Sequence, residues 1–309
     1  MINQEKELAA LLADTPLSGR EIITLPILDS QETALAVQIM PHEVEAAWRI
    51  GKNLLPKTGR WPLATMFGPS WGAPPWREAI VDEDLFSRFY YEEEPDPVDI
   101  SPQGLCRRAD HADYAKAFEQ VLHARAEYDL LSERLEYTIE SCQSRLGHAP
   151  QPEEIAAAKA SGKFRHYYGL EHWIAQWETA HGYQTNLEES RPECFTPENF
   201  TALLFLPTTQ GWDALAYLNW YGTSDIGSAY YIALGRSWQQ RFGAELVAHY
   251  GTMLQCEVSR PPQTFEEAWP LACEHDLAGD CTLALPGILL RDYAHGLVGW
   301  NRWFLHERP

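Results

Sequence analysis

The chain has 309 residues, 45% of them hydrophobic, and a formal net charge of −20. This hydrophobic fraction excludes a disordered chain, and the acidic excess argues against a protein that binds nucleic-acid phosphates or an anionic membrane surface. No apolar run reaches the roughly 20 residues that span a bilayer, and the first residues lack a signal-peptide pattern. We therefore expect a cytoplasmic protein.

The first hundred residues contain patterns of both helix and strand. Residues 2–13 place leucines on one side of a short predicted helix. Pro41 opens a second helical pattern, and a loop rich in proline and glycine covers residues 68–76. We therefore expect an α+β part over residues 1–100. Its β-prone runs are 22–28, 34–39 and 60–67.

Acidic residues are concentrated between positions 82 and 99, where eight of them occur with a single base, Arg88. Such a run is typical of an exposed, solvated loop, because like charges repel one another. The alternative is an acidic surface that steers a basic partner towards the protein, with a tryptophan as an aromatic anchor. The candidate binding residues are Glu92, Glu93, Glu94, Asp96, Asp99 and Trp238.

Residues 111–146 carry apolar side chains at alternating spacings of three and four, which predicts one long helix. Pro152 begins a second helical pattern, and residues 170–180 form a third. We expect a helical hairpin inserted over residues 101–195. Its apolar stripe either packs within the chain or forms a homodimer through the 111–146 helix.

The remaining residues, 196–309, predict a second α+β part. The apolar run 214–221 is among the predicted strands, and a glycine follows the helical pattern of residues 228–242 at the position of a helix C-cap. Thr264 precedes two acids and is a good helix N-cap. Together with the first part, this order predicts an α+β fold with a mixed or antiparallel sheet and flanking helices. The other predicted elements are strands 202–206, 245–248, 253–258 and 300–305, and a helix over 286–297.

Residues 236–247, Arg-Ser-Trp-Gln-Gln-Arg-Phe-Gly-Ala-Glu-Leu-Val, resemble the hallmark of the bacterial family called domain of unknown function 4253. Segments 258–262, 272–275 and 300–304 are similar to the same family. Residues 58–63 resemble a motif in the amino-terminal half of its longer members. The resemblance implies an α+β fold for the carboxy-terminal part. It implies no activity, because the family has none established.

No local motif identifies a catalytic centre. The six cysteines form no Cys-x-x-Cys pair, and the nucleophile-elbow, phosphate-loop, dinucleotide and zincin motifs are absent. In the polar stretch after Leu271, Cys273 and His275 are two positions apart and point to different faces of a helix. We therefore predict neither a metal site nor a cofactor. Glu274 and His275 remain candidates for an acid–base pair, provided that a pocket surrounds them.

Two functions from different classes remain open. The first is a non-enzymatic, acidic protein-binding module, for example an immunity or antitoxin-like inhibitor that covers the basic active site of a toxin enzyme. The second is a small-molecule enzyme or ligand-binding domain with its pocket in the carboxy-terminal part, built from Glu274, His275, Arg241 and Trp238. The sequence favours the first, because it offers no catalytic motif.

Overall fold

The computed structural model describes residues 1–28, 30–66, 86, 99–128, 131–198, 201–218, 220–224 and 226–308. Its helices are α1 (Glu5–Leu12), α2 (Val44–Thr58), α3 (Pro102–Ala109), α4 (Tyr114–Tyr128), α5 (Leu131–Leu146), α6 (Pro152–Ala160), α7 (Tyr167–Ala180), α8 (Ser228–Phe242), α9 (Phe265–Ala278), α10 (Cys281–Ala284) and α11 (Leu290–Leu297). Its strands are β1 (Ile22–Pro26), β2 (Thr33–Ile39), β3 (Trp61–Met66), β4 (Thr201–Leu206), β5 (Ala244–His249), β6 (Met253–Val258) and β7 (Arg302–His306).

Within the described residues, seven strands form one mixed sheet in the order β1-β2-β4-β3-β5-β6-β7. Strands β3 and β5 run parallel, with Ala64 opposite Ala248, and the other neighbouring strands are antiparallel. Strand β4 is buried along its whole length, which fits its place between two partners. The predicted α+β fold with flanking helices is confirmed.

Most elements lie where the sequence predicts them, with two differences. The run 214–221 was predicted as a strand, and this prediction is wrong, because Gly211–Ala216 forms a buried 3₁₀ helix. An apolar run of this length is ambiguous between a buried strand and a buried helical turn. The predicted long helix over 111–146 is described as α4 and α5, with residues 129–130 outside the described part.

The chain divides into two compact units that do not follow the expected three parts, 1–100, 101–195 and 196–309. Unit 1 contains strands from both ends of the chain, because β4 pairs with β2 and β3. Unit 2 combines α4 (from Ala115 onward), α5, α6 and α7 with α9, α10 and α11. Periodicity identifies elements but not their long-range partners. Unit 1 comprises Met1–Tyr114, Cys194–Arg260 and Asn301–Pro309, and unit 2 comprises Ala115–Glu193 and Pro261–Trp300.

The motif at residues 58–63 contacts several other segments of unit 1. Gly59 ends α2 in the left-handed conformation, with a φ of 66°, where glycine is favoured. The guanidinium of Arg60 is 1% exposed and donates hydrogen bonds to the carbonyls of Ile2, Thr33 and Phe205. The motif therefore joins the amino terminus to strands β2 and β4.

Unit 2 has an apolar core with buried charges beside it. Cys142 of α5, Ala158 of α6 and Trp173 of α7 belong to one buried cluster, against which Leu135 and Leu146 of the predicted stripe also pack. This packing occurs within one chain, and a homodimer through the 111–146 helix stays a prediction. None of the described helices is both long and apolar enough to cross a bilayer.

The buried charges of unit 2 centre on Arg291 of α11, which is 1% exposed. Its Nη1 lies 2.8 Å from both carboxylate oxygens of Glu171, and its Nε lies 2.8 Å from Oε2 of Glu178. Nη2 donates to the Ser141 hydroxyl at 3.0 Å. These contacts join α5, α7 and α11, and they give every side of the guanidinium a partner.

Candidate functional site

A cavity of about 200 Å³ lies in unit 1, where α2 begins. It is walled by the first turns of α2, the segment from Cys194 to Pro197 and the strands β5, β6 and β7. The side chains that shape it are introduced below wall by wall.

The helix wall follows from the spacing of residues in α2. The Glu43 carboxylate accepts a 2.8 Å hydrogen bond from the Met40 amide and fixes the turn that enters the helix. Val44, Glu45 and Trp48 are one turn apart or adjacent, so they line the cavity together. Trp48 also packs edge-on against Trp61, with ring centroids 6.5 Å apart.

The sheet wall depends on a β-bulge. The pairing of β5 with β6 shifts between Leu246 and Ala248, so Val247 is the extra residue. Such a bulge redirects a side chain, and here Val247 lines the cavity. On β6, Gln255 and Glu257 alternate with buried neighbours and therefore lie on one side of the strand.

The third wall is the segment from Cys194 to Pro197. It is tied to the sheet by the side-chain amide of Gln255, whose Nε2 donates a hydrogen bond to the Phe195 carbonyl at 2.6 Å. The ring of Phe195 meets that of Tyr250 edge-on, with centroids 5.2 Å apart. Together with Trp48, these two rings give the cavity aromatic sides.

A chain of ion pairs borders the cavity. Arg49 lies 2.7 Å from Glu45 and 2.8 Å from Glu257, and Arg302 of β7 is paired with Glu45. Arg302 is also directly opposite Glu257 in the register of β6 and β7. Both carboxylates of the cavity wall are therefore already neutralised by arginines.

Two thiols, those of Cys194 and Cys256, also line the cavity. Burial raises the pKa of each thiol. The Cys194 thiol raises the pKa of Cys256 further, whereas the pKa of Cys194 is lowered by the Arg302 charge and raised by that of Glu45. Burial likewise raises the pKa of the Tyr250 hydroxyl. All three groups are therefore protonated at neutral pH, and the thiols are weak donors rather than nucleophiles.

Trp48, which lines the cavity, has a polar atom with no partner among the described residues. Trp48 is 2% exposed, and its Nε1 makes no hydrogen bond to any part of the chain that the structure describes. An indole N–H is a donor only, so it needs an acceptor from elsewhere. This atom is the strongest chemical signal in the cavity.

The acidic binding residues predicted from the sequence are mostly beyond the described part of the chain. Glu92, Glu93, Glu94 and Asp96 all fall there. Asp99 is described, and it accepts hydrogen bonds from the hydroxyl and amide of Ser101 at 2.6 and 3.0 Å, which with Arg107 lower its pKa. Its carboxylate therefore organises the start of α3.

The remaining predicted residues lie outside the cavity. Trp238 is 1% exposed and packs edge-on against Trp212 and Trp303, so its ring belongs to the core of unit 1. Arg241 is exposed in unit 1, whereas Glu274 and His275 belong to α9 of unit 2. His275 is fully buried, with its Nδ1 2.7 Å from the Tyr293 hydroxyl. None of the four lines the cavity.

Sequence reasoning did not identify the cavity residues, because they come from four distant segments and match no motif. In the sequence, Trp48 is only one apolar residue of the helical pattern that Pro41 opens. Glu45, Glu257 and Arg302 are ordinary surface types, and nothing in their spacing distinguishes them. The β-bulge at Val247 likewise has no glycine or other sequence mark.

The hallmark segment 236–247 has a structural role in this chain. Arg236 pairs with Asp213 at 2.8 Å and with Asp110 at 2.7 Å. Gly243 ends α8 in the left-handed conformation, and its amide donates to the Gln239 carbonyl at 2.9 Å. The segment thus fixes α8 and leads into β5, the strand that carries the bulge.

Comparison with known proteins agrees with the resemblance noted for this segment. Residues 202–306 match the model of a family described as a domain of unknown function, DUF4253. The matched range does not include residues 58–63. No curated protein and no solved structure matches the chain. The carboxy-terminal part of the chain is therefore similar to the DUF4253 domain, and strands β5 to β7 of the cavity lie within the matched range.

Proposed function

We propose that the protein is a small-molecule-binding module and that the cavity beside α2 holds the ligand. The observation that carries this proposal is that Trp48, which lines the cavity, has a buried Nε1 with no hydrogen-bond partner among the described residues. A buried donor without a partner costs about 1–3 kcal/mol, and a ligand that supplies an acceptor would remove this cost. A small-molecule site with a few polar groups among apolar side chains has this composition.

The size of the cavity limits the ligand. An apolar cavity of about 150 Å³ is large enough for benzene. A volume of about 200 Å³ therefore suits one ring with one or two substituents. Molecules of drug or nucleotide size need several hundred Å³ and would be excluded.

The test is a ligand-observed NMR screen of ring compounds with six to twelve heavy atoms. We expect binders with dissociation constants near 1 mM, or about −4 kcal/mol, as is ordinary for molecules of this size. Val247→Phe should fill the cavity and abolish binding. The same change at Val298, a half-buried residue of unit 2, is the matched control and should leave binding intact. Equal binding by the two variants would contradict the proposed site.

A second proposal concerns the acidic run at 82–99, and it is supported by the charge of −20 and by the eight acids in this run. In this proposal, the chain is a cytoplasmic bacterial protein of the immunity or antitoxin class, which binds a basic enzyme through Glu92, Glu93 and Glu94. Association would be fast at low salt and would slow as salt screens the charges.

Replacing Glu92, Glu93 and Glu94 with glutamine tests the second proposal. The expected result is slower association with the basic protein that copurifies from the native host, and a weaker dependence on salt. Glutamines at the exposed Glu188, Glu189 and Glu193 make the same change in charge elsewhere and are the control. If both triple variants behave alike, the acidic run does not steer the partner.

A further inference from the structure

We infer that the ligand of the cavity is a small aromatic carboxylate, an inference that rests on the proposed function. The hydrogen-bonding groups of the cavity residues favour a ligand that carries an acceptor. Trp48 offers an N–H donor with no partner. A ligand with acceptor oxygens satisfies it, whereas a ligand with donors alone does not.

Arg302 lies at the edge of the cavity. Its Nη2 is bound to Glu45, and its other guanidinium N–H groups have no partner within the described part of the chain. The side chain is 52% exposed, so these donors are open to an incoming molecule. A planar guanidinium binds the two oxygens of a carboxylate through parallel hydrogen bonds, and a carboxylate is a small substituent for a ring in a cavity of about 200 Å³.

The acidic groups of the wall are already paired with arginines. Glu45 is held by two arginines and Glu257 by Arg49. A cationic ligand would have to displace one of these guanidinium groups, whereas an anion at Arg302 displaces none. The amide nitrogen of Gln255 is bound to Phe195, and its oxygen suits a neutral hydroxyl or N–H substituent.

The walls of the cavity are largely aromatic and apolar. The rings of Trp48, Phe195 and Tyr250 and the side chains of Val44 and Val247 form apolar and aromatic sides. An aromatic ring packs well against such sides, through offset and edge-on contacts. The ligand would therefore place its ring among these side chains and its carboxylate at Arg302.

The experiment compares benzoate, benzamide and benzylamine, which have nearly the same shape and carry charges of −1, 0 and +1. Binding to the full chain is measured by ligand-observed NMR titration. We expect benzoate to bind at least tenfold more tightly than benzylamine. Arg302→Met should weaken benzoate at least tenfold and change benzamide less than threefold. Arg107→Met removes the same charge from an exposed ion pair outside the cavity and is the control.

A second variant tests the N–H donor of Trp48 separately from its aromatic ring. Trp48→Phe keeps an aromatic side chain and removes the N–H, so benzoate and benzamide should both bind about fivefold more weakly. If no ring compound of the screen binds the unmodified protein, the proposed function itself fails; if other ring compounds bind but benzoate does not, only the carboxylate inference is overturned. If benzamide or benzylamine binds as tightly as benzoate, or if Arg302→Met keeps the preference for benzoate, the carboxylate inference is overturned and the proposed function stands.

Discussion

Gly235 of α8 shows how one residue fixes the packing of unit 1. A Cβ atom at this position would lie 2.0 Å from Cδ2 of Trp212, well inside contact distance. Trp212 is itself held, because its Nε1 donates to the Ala244 carbonyl at 3.0 Å. The indole has no free direction in which to move, so only glycine fits against it.

We therefore predict that Gly235→Ala lowers the free energy of unfolding by about 2–3 kcal/mol. Helix propensity alone predicts the opposite sign, a gain of about 1 kcal/mol. Urea unfolding of the variant decides between the two, and a stabilised variant would contradict the packing described. Ala233→Gly on the same helix is the control for propensity, and it should cost about 1 kcal/mol.

The contrast between local sequence and three-dimensional packing also explains why the predicted site residues do not line the cavity. Chemical type within a local stretch is what makes site candidates of Trp238, Arg241, Glu274 and His275. Local sequence does not reveal that the Trp238 ring is buried between other tryptophans. Cavity residues are recognisable only after β5, β6, β7 and α2 have been brought together.

At the scale of elements, the contacts of Arg291 hold three helices of unit 2 together. Arg291→Met would leave the buried Glu171 without its counter-charge. Glu178 would keep only Arg145, whose Nη1 lies 3.4 Å from Oε2 of Glu178. We expect a loss of about 3–5 kcal/mol in the free energy of unfolding, the usual cost of breaking a buried ion pair from one side. Arg107→Met breaks an exposed pair and should cost less than about 1 kcal/mol. Similar losses in the two variants would show that the Arg291 contacts are not buried as described.

The buried network also allows a stricter test. Adding Glu171→Gln and Glu178→Gln to Arg291→Met removes the uncompensated charges. We expect this triple variant to regain part of the lost stability, because neutral amides are cheaper to bury than carboxylates. A triple variant that is less stable than Arg291→Met alone would argue against charge as the cause.

The helices α7, α9 and α11 carry an aromatic cluster that predicts a pH dependence. His172 and His295 pack against Phe265, with centroids 5.8 and 4.5 Å from its ring, and burial lowers the pKa of both histidines despite the opposing charge of Glu266. The unfolded chain therefore binds protons at a higher pH than the folded one. Stability from these groups is complete above about pH 6.5 and is lost as pH falls through their folded pKa.

Denaturant unfolding between pH 5 and pH 7 measures this effect. We expect the free energy of unfolding to rise with pH in the unmodified protein, and the rise to be smaller after His172→Gln and His295→Gln together. His111→Gln, at an exposed position, is the control and should keep the full slope. An unchanged slope in the double variant would contradict the lowered pKa values.

Elements were the part of the fold that the sequence predicted best. Helix α8 and strand β6 have the bounds that periodicity indicates, and Thr264 caps α9 by accepting a hydrogen bond from the Glu267 amide at 3.2 Å. The run 214–221 was mispredicted because hydrophobicity does not specify backbone conformation. Close packing around Trp212 and Gly211 favours a tight 3₁₀ turn there instead.

At the scale of the whole molecule, the sheet crosses the boundary of the DUF4253 match. Strand β4 lies in the matched range, but both of its neighbours, β2 and β3, belong to the first 66 residues. Pairing over such distances cannot be read from local patterns, which is why the expected parts 1–100 and 196–309 seemed separate. The matched range is therefore smaller than the folding unit.

This topology predicts that a fragment of residues 196–309 does not fold alone. It would expose both edges of β4 and the β3-facing edge of β5. We expect no cooperative thermal transition and poor dispersion in its NMR spectrum, while the full chain shows both. A cooperative transition in the fragment would contradict the shared sheet as the basis of its stability.

The indole N–H of Trp48 reports directly on whether the cavity beside α2 binds a small aromatic carboxylate. We would record ¹H–¹⁵N spectra of the full chain during a benzoate titration, with the Trp48 indole signal assigned from Trp48→Phe. We expect a saturable downfield shift of that signal, as its N–H gains an acceptor, and little change in the other tryptophan indoles. A Trp48 signal that stays in place at saturating benzoate, or a response confined to other indoles, would contradict it.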